Sequence, residues 1–287
     1  MSTETAPAFN ADKIGVATDP VEFEVTRERI QAYAAATNDK IGPHAAGDVA
    51  PPVFAVVPAF QANGMAALSV IPAELLGAIL HGEQDLHFRR PIEPGMKLST
   101  VATPIGMRQR SSGVTVVTKT ETTADGEPVV DQYWTTFVRG AQGAEDVGED
   151  APGHALDESL RERDPDAQVS QTFDADQTYR YAEASGDPMQ IHLDEEFAKA
   201  VGLPGIIIHG LCTMAFTSVA AIESFCADDP TRLRRLAVRF AKMTFPEQTI
   251  TTRFWNTGER DGAAAYAYET TSDADELVIK DGLAEIA

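Results

Sequence analysis

Cysteine is nearly absent from this chain, whose 287 residues hold only Cys212 and Cys226. They lie 14 positions apart with no CxxC and no Cys/His ligand spacing, which argues against a disulfide framework or a zinc site. Both read as small buried hydrophobes of a reducing compartment. Basic residues are scarce as well: 23 Lys and Arg stand against 44 Asp and Glu, for a formal net charge of -21. A surface that acidic repels phosphate backbones at long range, which argues against a nucleic-acid partner but still admits a small anion at a local basic patch. Met1 to Asn10 lacks the basic segment and apolar run of a secretory signal. No apolar stretch approaches the roughly 20 residues a membrane helix needs. The longest, Phe54 to Leu80, is broken by Pro58, Asn63, Gly64, Ser69 and Pro72. The expectation is a soluble, cytoplasmic protein with no membrane insertion. Its 43% hydrophobic content supplies an ordinary core, and its length suits two domains.

What is present is one unit written twice. Tyr33-Ala-Ala-Ala-Thr-Asn-Asp39 matches Tyr181-Ala-Glu-Ala-Ser-Gly-Asp187, and Glu121-Thr-Thr-Ala-Asp125 matches Glu269-Thr-Thr-Ser-Asp273, both at an offset of 148. Phe88-Arg-Arg with Pro94 parallels Phe240-Ala-Lys with Pro246 at an offset of 152. Three matches in one order at nearly one spacing point to a duplicated domain rather than a solenoid. In each copy a short strand (Glu22–Val25; Val169–Phe173) meets a helix start, with Thr26 and Asp174 as N-caps. The helix then runs to a polar break at Asp39 or Asp187.

A further helix follows, then strands. In the second copy Leu211, Met214, Ala215, Val219, Ile222 and Phe225 recur on one face of a helix from Leu211 to about Phe225. Leu236–Phe240, Thr249–Trp255, Ala263–Thr270 and Leu277–Ile286 read as its strands; Asp85–Phe88, Leu98–Ile105, Val114–Thr122 and Val129–Val138 are those of the first copy. Asn256-Thr-Gly258 and Ala124-Asp-Gly126 supply turn chemistry where strands reverse. Gly140 to about Asp166 is rich in Gly, Asp, Glu and Pro with no apolar period, and reads as a solvated linker over the surface. An antiparallel sheet wrapped around one helix is a hotdog, so the fold class is α+β, a double hotdog. The divisions are 1–140 for the first repeat, 141–167 for the acidic linker and 168–287 for the second.

The stretch Tyr181-Ala-Glu-Ala-Ser-Gly-Asp-Pro-Met-Gln-Ile-His192, followed by Gly202-Leu-Pro-Gly-Ile-Ile-Ile-His-Gly210, resembles the signature of the MaoC-like, R-specific enoyl-CoA hydratase (hydratase 2) family. That signature is an alanine-rich helix end, Ser-Gly-Asp, Asn-Pro, an aliphatic residue and His, then an Ile-x-His-Gly turn opening the central helix. The motif covers about 30 residues, and the duplication extends the likeness to nearly the whole chain. The resemblance implies a hydratase or dehydratase of fatty acid metabolism acting on acyl-CoA or acyl-carrier-protein thioesters. Met189-Gln190 departs from the family's Asn-Pro, removing a side chain and a ring that brace the loop.

Hydrating a 2-enoyl thioester requires a held and deprotonated water, a proton for the alpha carbon and a stabilised thioester oxygen. Asp187 and His192, five apart, cannot stack on a helix and must converge across a loop. Each can move a proton near neutral pH, and the residue types leave open which abstracts and which donates. Gly210, at the start of the central helix, is the natural oxyanion donor, because its N–H is unpaired and its Cα lets an oxygen approach. His209, Ser185 and Gly186 support the loop. No metal or other cofactor is called for. In the first copy Asp39 and His44 repeat the five-residue spacing, but Phe54-Ala55 stands where His209-Gly210 should be. Pro51-Pro52 stiffens the approach, and Gly64 and Pro72 imply a short or bent central helix. The first copy therefore reads as a structural half that widens an acyl tunnel, with Asp39 and His44 as surface or loop residues. Arg89, Arg90, Arg239 and Lys242 stand out in so acidic a chain as candidates for the phosphates of CoA or an acidic carrier protein. Against the hydro-lyase stand a hotdog thioesterase and a non-catalytic acyl-thioester-binding module. The expected assembly is a monomeric double hotdog or a homodimer.

Overall fold

The computed structural model describes residues 8–227 and 229–287. Five strands build the first half: β1 (Val21–Glu24), β2 (Ile79–Phe88), β3 (Lys97–Arg110), β4 (Gly113–Ala124) and β5 (Glu127–Arg139). A two-residue strand, β6 (Val147–Gly148), lies on β3. The second half repeats the set as β7 (Ala167–Thr172), β8 (Leu233–Phe240), β9 (Thr249–Arg260), β10 (Ala263–Ser272) and β11 (Leu277–Ile286). Helices α1 (Arg27–Ala36), α2 (Gly42–Ala46) and α3 (Val56–Val70) belong to the first half, and α4 (Gln177–Ser185), α5 (Glu195–Ala200) and α6 (Gly210–Phe225) to the second. One antiparallel sheet runs in the order β1-β3-β4-β5-β2-β8-β11-β10-β9-β7, with β6 off this path on β3. Each side of the β2–β8 seam is the same five-strand path, so the chain is a double hotdog related about that seam.

Alternation drives the wrap. Along β3 every second residue from Leu98 to Pro104 turns inward, the period of two that a half-buried strand shows. The inner faces close on α3 and α6, and the main core runs through both halves, from Phe54 and Leu86 to Phe216, Leu236 and Tyr268. The repeated tyrosines meet at the centre, where Tyr33 Oη and Tyr181 Oη are 3.2 Å apart. Beside them Gln177 Nε2 donates to the Ala36 carbonyl and Arg180 Nη1 to that of Ala35, joining α1 to α4.

Five expectations change. The first central helix is not short: α3 has 15 residues against 16 in α6, and with the 3-10 turn Pro52–Ala55 it forms a 19-residue run apolar enough to cross a membrane. Pro58 falls in its first turn, where a missing N–H costs least, and Pro72 lies beyond its end. Packing against β3 and β4 makes this run a core helix. Asp174 is not an N-cap: α4 starts three residues later, and the Asp174 carboxylate instead accepts from Asn38 and Arg180. Asn256-Thr-Gly258 is not the reversal but a bulge within β9; Asp261-Gly262, both at positive φ, makes the turn. The segment after Gly140 is ordered: Leu156 is buried against Trp255 and Ala267, and Arg161 forks onto Glu269. Asp39 and His44 are buried rather than on the surface, for a reason that belongs to the site.

Candidate active site

The site is built where α4 stops. Gly186 caps the helix in the left-handed region, φ 77°, a conformation glycine enters without cost, and the chain turns there to release Asp187. The Asp187 N–H donates to Ser185 Oγ at 3.3 Å, while Asp187 Oδ1 accepts from the Met189 N–H at 3.2 Å. That local side-chain-to-backbone turn supplies bracing where Asn-Pro is missing. A 3-10 turn, Gln190–His192, then carries the imidazole back under the loop.

The His192 tautomer is set by its neighbour. Nδ1 lies 2.8 Å from the Ile207 carbonyl, which can only accept, so Nδ1 carries the hydrogen and Nε2 keeps a lone pair. Ile207 is itself held by its N–H to the Ile191 carbonyl, and Ile208 by its N–H to that of Thr244. The His209 ring stacks on His192 with centroids 3.7 Å apart and planes at 24°. His209 Nε2 reaches the Asp187 carbonyl at 3.4 Å, bracing the loop from behind.

Burial raises the Asp187 carboxyl above its ordinary range, against the pull of His192 and the Met189 N–H. The same burial lowers the His192 imidazole, offset in part by the Ile207 carbonyl and by Asp187. His209, buried and beside another imidazole, is pushed down to about 3 and stays neutral. One donor atom from each of Asp187, His192 and His209 lies within 4.8 Å of the others. Two hydrogen bonds of about 2.8 Å meeting at one water span such a gap. A metal is a poorer fit, because near-parallel stacked rings do not aim both lone pairs at one ion about 2.0–2.1 Å away.

Gly210 opens α6, so its N–H has no acceptor within the helix. The Phe240 ring covers its Cα so closely that a Cβ there would stand 3.2 Å from two ring carbons. This loop thus brings together Asp187, His192, His209, Gly210, Ser185 and Gly186. The basic residues are engaged elsewhere: Arg89 pairs with Asp131 at 2.7 Å, Arg239 with Glu83 at 3.0 Å and Lys242 with Glu276 at 3.9 Å. Arg90 donates to the Ala124 carbonyl at 2.7 Å. Two contributors escaped sequence reasoning. The Ile207 carbonyl leaves no side-chain signal, and Phe240 was visible only as a mark of the duplication.

The first half is the control. His44 Nδ1 lies 2.7 Å from Asp39 Oδ2 with both side chains fully buried, so this pair has closed on itself. No direct bond joins Asp187 to His192. Ala55, at the position of Gly210, closes the 3-10 turn Pro52–Ala55 instead of opening the helix, which starts at Val56.

Known proteins share this organisation. Residues 158–277 match the model described as MaoC like domain, and residues 12–132 the FAS1-like dehydratase domain region. The second half thus carries a MaoC-like domain and the first a FAS1-like dehydratase domain region. It is 28% identical to the 3-hydroxyacyl-thioester dehydratase Y of Mycobacterium tuberculosis over 97% of this chain and 98% of that protein. It is also 29% identical to the mouse peroxisomal multifunctional enzyme type 2 over 76% of this chain and 30% of that protein, so it spans under a third of that relative's length. The solved MaoC-like dehydratase of Phytophthora capsici superposes with a TM-score of 0.84 at 26% identity, over 97% of this chain and 99% of that one.

Proposed function

We propose that this MaoC-like chain is a hydro-lyase that interconverts trans-2-enoyl and (3R)-3-hydroxyacyl thioesters of CoA or acyl-carrier protein. The observation that carries the reading is the open pair: Asp187 and His192 each keep an atom within 4.8 Å of the other and of His209, and Gly210, the next residue, opens α6. In the hydration direction the His192 Nε2 lone pair takes a proton from water as the water oxygen bonds C3. The electron pair of the C2–C3 double bond moves toward the thioester oxygen, where the Gly210 N–H and the positive end of α6 meet the growing charge. The imidazolium returns the proton to C2, so the pair ends as it began. The Asp187 carboxylate accepts a hydrogen bond from the water's second O–H, which stays on the product hydroxyl, and steadies the imidazolium. General acid–base help of this kind is worth about 10² to 10⁴ in rate, and one oxyanion donor about 2.7–4 kcal/mol.

Mixing the protein with crotonyl-CoA and longer 2-enoyl-CoAs tests this. Hydration bleaches the conjugated enoyl absorbance without releasing thiol. Free thiol would mark a thioesterase, and no change with any acyl length or carrier would mark a binding module. Full activity in both Asp187→Ala and His192→Ala would remove the site assignment.

A further inference from the structure

The closed pair in the first half borders a space the hydro-lyase reading does not use. His44 Nε2 is buried without a hydrogen-bond partner, and so is Arg90 Nε. Both residues line one cavity of about 40 Å³, whose walls include Pro51, Pro52, Ile92 and Leu233 and whose rim includes the exposed Arg234. One water occupies about 10–15 Å³ on this measure, so the cavity holds about three waters or one four-oxygen anion. Buried polar atoms are ordinarily satisfied, and here two residues that each keep an unpartnered nitrogen line the same cavity.

Charge narrows its chemistry. Among the described residues neither Arg90 nor Arg234 forms an ion pair with a carboxylate, although acids outnumber bases in this chain 44 to 23. Asp229 senses Arg234 only at longer range. Two guanidinium groups with no carboxylate partner among the described residues favour an anion. With Nδ1 facing Asp39, His44 presents the Nε2 lone pair, which accepts a hydrogen bond rather than donating one. The occupant therefore needs both negative oxygens and a hydroxyl. Catalysis at this place is not favoured, because Ala55, at the position of Gly210, closes a 3-10 turn instead of opening the helix.

We propose that this cavity is a binding site for hydrogen phosphate, with Arg90 Nε and Arg234 donating to its ionised oxygens and its P–OH donating to His44 Nε2. The site stands apart from the Asp187 loop and does not depend on the hydro-lyase reading. Inorganic phosphate, sulfate and chloride are titrated at matched ionic strength near pH 7 into the full chain, followed by calorimetry and thermal melting. Saturable phosphate binding is expected, with sulfate, which has no hydroxyl at this pH, several-fold weaker. Loss of one charge-assisted contact in Arg90→Met should weaken phosphate by about tenfold or more. Arg234→Met, at an exposed position that leaves folding intact, should weaken it in the same direction. Phosphate behaving like chloride, or binding equally well to wild type and both variants, would overturn the proposal. Hydration assayed in parallel keeps the two readings separate, since loss of phosphate binding leaves the enoyl test untouched.

Discussion

The role proposed for Asp187 comes at a cost in stability. Burial raises its carboxyl, so the folded chain holds a charge that the unfolded chain carries more easily. A group with a raised folded value stabilises below its unfolded value near about 4, and that stabilisation is lost as pH rises through the folded value. His192 is lowered and runs the other way: its contribution is present above about 6.5 and is lost as pH falls through the folded value. Asp187→Asn keeps the shape and removes the charge. Hydration should fall by about 10² to 10⁴ while the melting temperature at neutral pH rises. In the wild type the acid limb of the rate profile should lie above the ordinary carboxylate range, because the ionised carboxylate is the working form. Steady-state rates and melting curves across pH check both statements. A variant that melts lower and turns over normally would contradict them.

At the scale of elements, the start of α6 separates a half with an open Asp–His pair from one with a closed pair. Gly210→Ala retains the N–H but places a Cβ 3.2 Å from the Phe240 ring, so the ring or the helix start must give by tenths of an ångström. A displaced donor acts mainly in the transition state, so kcat should drop by about tenfold or more with KM little changed. Phe240→Leu in the same chain should recover part of the loss. Helix α6 and the strands were legible because hydrophobic period and burial agree there. Helix α3 was not: Gly64 and Pro72 read as punctuation, whereas packing against β3 and β4 carries the helix through the one and ends it before the other. The loop pair was legible as a motif, but the difference between Asp187–His192 open and Asp39–His44 closed was not. That difference rests on backbone partners such as the Ile207 carbonyl, which no residue type announces.

For the whole molecule the decisive feature is the seam between halves. Five residue pairs join β2 to β8, and across them Asp85 of the first half meets Arg235 of the second through a two-pronged contact at 3.0 and 2.8 Å. Burial pushes the Asp85 carboxyl up, but the hydrogen bonds and charges of His87 and Arg235 outweigh it and leave it lowered. Breaking a buried pair by removing one partner strands the other charge, which typically costs about 3–5 kcal/mol. Arg235→Met preserves the volume and should destabilise by about that much, and because the seam lies within one continuous sheet both halves should melt together. The lowered Asp85 contributes stability above its unfolded value near about 4 and loses it as pH falls through the folded value. In Arg235→Met, burial acts with less opposition and the carboxyl rises. Acidification from neutral pH should therefore relieve the variant while it weakens the wild type. Denaturant titrations at neutral and mildly acidic pH should show the gap narrowing. A constant gap would mean that the cost of losing Arg235 comes from packing rather than from the stranded charge.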